Sequence, residues 1–145
     1  MKIAELTQGE MDLLRLVVFL EDEVPEENFD MSFYVKARSV KALVSHACGT
    51  SACVGGWAGT IPEFNDRGLR LDDQMHGNEP FFMLFFHEYT GAVAFAEFFD
   101  IEHDEALAIV AVRLCIDRAS KDEKAAQIQA LVTKRVFDRT IGETA

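Results

Sequence analysis

Positive charge is scarce in this chain: 14 lysines and arginines face 25 aspartates and glutamates, a formal net charge of −11. Proteins that hold duplex nucleic acid by its phosphates carry a basic stripe. Here the compact basic grouping before the C-terminal region is Lys36, Arg38 and Lys41, so direct nucleic-acid binding is not expected. Long apolar runs are missing too. The stretch Leu13 to Leu20 is broken by Arg15 and flanked by acids. It reads neither as a signal segment nor as part of the roughly 20-residue run needed to cross a bilayer, and the expectation is a cytoplasmic protein without membrane contact. Three cysteines are too few, and an odd number, for a disulfide framework, which agrees with a reducing compartment. Three prolines, nine glycines and no low-complexity stretch leave no internal linker. One domain over residues 1–140 is expected, with a flexible tail at 141–145.

What is plentiful is apolar material, 49% of the chain including 12 phenylalanines, enough to fill a single core without covalent staples. Its spacing is mostly helical. Residues 8–23 repeat Met11, Leu14, Val17, Val18 and Phe19 near a 3.6-residue period, with Pro25 beyond as a stop. Residues 31–45 repeat Phe33, Ala37, Val40 and Val44. A third helix is read from Ser51 to Thr60 with Thr50 as its N-cap, a fourth from Gly91 to Phe99 behind Thr90, a fifth over residues 104–117 and a last over residues 122–138. The segment from Glu63 to Asn78, dense in Asp, Gly and Asn, reads as a long central loop with at most a short strand at Leu69 to Leu71. The expected fold is therefore mainly α, a compact domain of about five or six helices with at most a small strand pair.

The most informative segment is His46-Ala47-Cys48-Gly49-Thr50-Ser51-Ala52-Cys53-Val54-Gly55-Gly56-Trp57. Two thiols, an imidazole and three glycines crowd around an expected helix start, where free N–H groups favour a thiolate or an anion. Cys48, Gly49, Thr50, Ser51, Cys53, Gly56 and Trp57 are the candidate ligand-binding residues. Gly55 and Gly59 are four apart, which bares one helix face for close packing against a neighbouring helix or a flat ligand. The thiols admit further readings. His46, Cys48 and Cys53 are three zinc-type ligands, with His76, His87, His103 or Cys115 as a fourth, but the paired knuckles of structural zinc sites are missing. Cys48 with His46 or His87 as base would be a nucleophile, yet no third orienting residue completes the set. A Cys48–Cys53 disulfide would close only a short loop. Cys53 also suits a plain packing role beneath Trp57.

The same motif, continued by Ala58, together with Glu23-Val24-Pro25-Glu26-Glu27-Asn28-Phe29-Asp30-Met31 before it and Ile61-Pro62-Glu63-Phe64, Gly68-Leu69, Gly91, Ala94, Glu97-Phe98-Phe99 and Ala106 after it, resembles a family of small uncharacterised bacterial and bacteriophage proteins with the pattern PPExFDM, CGTxxCxxGW/HA, PxF, GL and AxxFFGL. The likeness covers roughly residues 20–115. It implies a shared fold and a bacterial or phage accessory role, and it brings no activity with it. Two departures stand out, Asp100 at the pattern's glycine and Glu102 at its Ser or Thr helix cap.

Glycines, a cap and aromatics suffice for binding, whereas no complete acid, base and nucleophile set can be assembled. The expected function is a non-enzymatic binding protein that captures a host protein or a small anionic, nucleotide-like ligand near the motif, with no cofactor. A thiol enzyme, or a redox or zinc protein centred on Cys48 and Cys53, is the alternative. Another is an acidic DNA mimic using Glu21, Asp22, Glu23, Glu26, Glu27 and Asp30. Surplus aromatics leave room for a homodimer face.

Overall fold

A computed structural model of the chain describes residues 2–76, 79–110 and 118–144. Helix α1, Gln8–Glu23, opens on a capping box in which the Thr7 hydroxyl accepts from the Glu10 N–H while Glu10 Oε1 accepts from the Thr7 N–H. It buries Leu13, Leu16, Val17 and Leu20 on one stripe. A 3₁₀ turn at Glu26–Asn28 leads to strand β1, Val35–Lys36, and to the short helix α2, Val40–Val44, capped by Ser39. Strand β2, Ser51–Ala52, precedes α3, Val54–Ala58, and α4, Pro62–Asp66. A long antiparallel hairpin follows, β3 Leu69–His76 and β4 Glu79–Phe86, extended by β5 at Tyr89–Thr90. Helices α5, Gly91–Phe99, α6, His103–Val110, and α7, Lys121–Thr144, complete the described chain.

The architecture is mainly α. Helices α1 and α7 lie antiparallel, and the two ends of the pair are tied by different chemistry. At one end the Lys121 ammonium donates to the Leu20 and Glu21 carbonyls, satisfying the C-terminal groups of α1. At the other, Arg139 clasps the buried Glu10 carboxylate and donates to the Glu5 carbonyl, while the Thr140 hydroxyl accepts from the Ala4 N–H. Gly9 lets α1 touch the end of α5, since a Cβ there would stand 2.2 Å from the Phe99 carbonyl oxygen. The core then runs from α1 through Trp57, Phe64, Phe95 and Phe99 to α6 and to Ala125, Ile128 and Val132 of α7. Arg67 bridges this edge, bonded to Asp12 at 2.7 Å and lying 4.7 Å over the Phe98 ring.

Several expectations need correction. The central loop is helix α4 and the first strand of a hairpin: Leu69 and Leu71 face inward in alternation, opposite Phe86 and Leu84 of β4. The strands thus exceed one small pair, forming a two-stranded and a three-stranded sheet, and seven α-helices occur among the described residues. The helix read over residues 31–45 shrinks to α2, because the backbone before it pairs elsewhere, Val35 opposite Ala52 and the Phe33 carbonyl with the Cys53 N–H. The third helix starts at Val54, not Ser51, with Cys53 rather than Thr50 at its N-cap. The last helix continues to Thr144, so residues 141–144 are helical where a tail is expected. Residues 111–117 of the expected fifth helix, Cys115 among them, lie outside the described residues, as do Gly77 and Asn78.

Candidate functional site

The motif folds as turn, strand and helix start. Its turn spans Ala47 to Thr50, with the Thr50 N–H and hydroxyl both donating to the Ala47 carbonyl and Gly49 at φ +81°. Asn28 then locks it from the Pro25–Met31 segment. Its amide donates to the Thr50 carbonyl at 2.8 Å, and its own carbonyl accepts from Trp57 Nε1 at 3.1 Å. Strand β2 runs between the two flanking stretches, bridged to Phe29 on one side and paired with β1 on the other. The Pro25–Met31 segment and the motif therefore form a single structural unit.

The glycines of α3 make close approach possible, but not to a neighbouring helix alone. A Cβ at Gly56 would lie 1.7 Å from the Tyr34 carbonyl oxygen; one at Gly55 would meet the Tyr34 ring and, at 3.4 Å, Val110 of α6; and one at Gly59 would strike Leu71 and Leu84 of the hairpin. The expected helix–helix seam is mostly a seat for the Tyr34 backbone and the β3–β4 sheet.

Of the seven candidate residues, Thr50, Ser51, Cys53 and Gly56 are buried and committed to this packing. Cys48 and Gly49 are exposed in the turn, five and four residues before the true cap. Cys48 therefore does not precede the helix directly, and the argument for its activation by the α3 dipole falls away. Cys53 does sit at that helix end, yet burial pushes its thiol up to about 12, outweighing the pull of the Gly56 and Gly55 N–H groups. Both thiols are free, with no disulfide between them. Among the described residues no group of three or more His, Cys, Asp or Glu side chains is placed to hold a metal ion. The side chain of His76, and Cys115, lie outside that description.

Trp57 is itself almost wholly buried, 1% exposed, but it is the candidate that lines a cleft. Beside it lies a cleft of about 180 Å³ lined by Phe19, Glu23, Val44, His46, Trp57 and Thr60. Its aromatic parts come from three elements. Trp57 forms the floor, with the Phe19 ring 6.1 Å away at 51° and the His46 ring 5.8 Å away, edge-on at 70°. His46 reaches this position from a left-handed backbone, φ +57°, at the end of α2. The Thr60 hydroxyl is occupied, donating to the Trp57 carbonyl, so Glu23 is the anionic group of the lining. Sequence reading singles out Trp57 and His46 in the motif, and Glu23 only as one acid of a DNA-mimic face, but not Phe19, Val44 or Thr60 as site residues; the signal that could have joined them is the proximity of the last turn of α1 to the motif, which is a tertiary fact. A second, broader depression of about 540 Å³ runs along the outer face of α7 beside Ala126, Ala130, Thr133 and Phe137, away from the motif. Comparison with protein-family profiles, with curated proteins and with solved structures gives no match.

Proposed function

We propose that this protein is a non-enzymatic binding module that captures a host protein through the face where the motif meets the end of α1. The observation that carries this reading is the division of labour in the motif. Thr50, Ser51, Cys53, Gly55 and Gly56 are consumed by internal packing and Cys48 and Gly49 stay exposed in the turn, while a cleft with an aromatic floor and a carboxylate on its wall opens next to Trp57. A thiol enzyme is less well supported, because the buried Cys53 thiol stays protonated near neutral pH. Size speaks against a nucleotide-like ligand in this cleft. Small-molecule sites usually enclose about 300–1,000 Å³, and 180 Å³ fits a side chain better than a nucleoside.

The test is affinity purification from bacterial cells with wild-type protein and with Val44→Arg, which alters an exposed residue of the cleft wall. The expected result is a discrete protein retained by the wild type and lost from the variant at equal thermal stability. Identical retained sets would refute the reading.

A further inference from the structure

We infer that the cleft beside Trp57 is a seat for a cationic side chain, the ammonium of a lysine on a basic segment of the partner protein. This deepens the binding reading above and rests on it. Three observations bear on that chemistry, the last two at the same helix end.

The first is the lining itself. Two aromatic rings and an imidazole surround a space of about 180 Å³ whose acidic wall is Glu23. Rings attract a cation to their faces, and a carboxylate beside them adds charge. Phe19 already shows this behaviour, since the Arg15 guanidinium lies 5.9 Å from its ring centre, with its charge answered by Glu63 at 3.2 Å.

The second is the helix end. Glu23 closes α1, whose last turn contains no basic residue and whose C-terminal carbonyls form its negative pole, two of them, of Leu20 and Glu21, being taken by Lys121. Glu21, Asp22, Glu26 and Glu27 are exposed around it. Lys41 is the nearest basic residue on the α2 wall, and it does not line the cleft.

The third is an intramolecular precedent. One lysine already docks at this end of α1, Lys121, whose ammonium bonds the Leu20 and Glu21 carbonyls at 3.1 Å each. The end of the helix thus takes an ammonium group from the protein's own chain, and Glu23 holds the open position beside it.

Trp57 is the sole tryptophan, so its fluorescence reports the cleft directly in the full chain. The experiment is a titration with a hexapeptide of alternating lysine and glycine, and with the matched norleucine–glycine and glutamate–glycine peptides. A saturable change in Trp57 emission is expected with the lysine peptide only. It should weaken about two- to fivefold in Glu23→Gln, the scale of one exposed ion pair, and also in Phe19→Leu, which keeps apolar volume but removes a ring. Equal response to the norleucine peptide would make the cleft merely apolar and overturn the proposal, as would unchanged affinity in both variants. Stronger response to the glutamate peptide would reverse the sign of the site. The two readings fail separately: a host protein lost from Val44→Arg with no effect of the lysine peptide on Trp57 leaves a binding module without a cation seat, whereas a host-protein set indifferent to Val44→Arg removes the module reading itself.

Discussion

A methyl group added at position 56 has nowhere to go, because the Tyr34 carbonyl oxygen stands 1.7 Å from where its Cβ would be. Backbone cannot yield as a side-chain tip can, so Gly56→Ala is expected to cost on the order of 1–3 kcal/mol or more through overpacking. Gly49 provides the contrast. Nothing lies within 4 Å of its Cβ position, but its φ of +81° is left-handed, and Gly49→Ala should cost about 1–2 kcal/mol from backbone strain alone. Urea unfolding of both variants checks the pair, and an unshifted midpoint for Gly56→Ala would contradict the close approach. The two described thiols separate as clearly. Iodoacetamide on native protein should modify Cys48, which is exposed, and spare Cys53, whose thiol is buried and held near 12; peptide mapping by mass spectrometry reads the order. Asp100 answers one question the sequence raises. It stands where the resembling pattern has glycine, and it adopts the left-handed geometry, φ +56°, that favours glycine at a helix end. Glu102, in place of a Ser or Thr cap, has its N–H taken by Glu105 Oε1 at 2.8 Å, so half of a capping box survives the change.

Among elements, α1 is the most dependent on its first turn. Removing the Thr7 hydroxyl in Thr7→Ala should cost about 1 kcal/mol, the usual value of an N-cap, measurable by thermal unfolding. Glu10 in the same turn is held below the ordinary carboxylate range, chiefly by its hydrogen bonds to Arg139, with the Thr7 N–H and the Arg139 and Arg135 charges assisting against burial. A depressed folded-state pKa stabilises the fold fully above the unfolded value, about 4.3 for Glu, and that contribution is lost as pH falls through the lower folded value. Melting temperatures from pH 7 to pH 3 should therefore fall less steeply in Glu10→Gln than in the wild type; parallel slopes would show that Glu10 is not the acid-sensitive group. Helices α1 and α5 are legible in the sequence because their apolar period and their breakers are local. The β3–β4 hairpin is not. Asp72 and Asp73 look like loop residues, and only the facing run Phe82 to Phe86, supplied by the partner strand, makes them a ladder. Residues 31–45 mislead in the opposite way, since their helical period is outcompeted by pairing with the motif strand. The cleft was partly legible for the same reason: Trp57 and His46 belong to a conspicuous local motif, whereas Phe19, Glu23 and Val44 reach it through the fold.

At the scale of the molecule, the ends of the described chain are joined to each other. Ala4 bonds Thr140, and Arg139 spans Glu5 and Glu10. Ending the chain at Asp138, where helical periodicity alone would place the last residue of α7, should remove this clasp and lower the melting temperature by several degrees, given that about 1 kcal/mol shifts a chain of this size by roughly 2–8 °C. A truncated protein melting with the full chain would show that the clasp contributes nothing. The clasp also fixes where handles can be attached. It sits at the first turn of α1 and the cleft at the last, so about 20 Å of helix, at 1.5 Å per residue, separates Glu10 from Glu23. A tag, a surface linkage or a fused neighbour joined near either end would attach at the pole of α1 opposite the cleft.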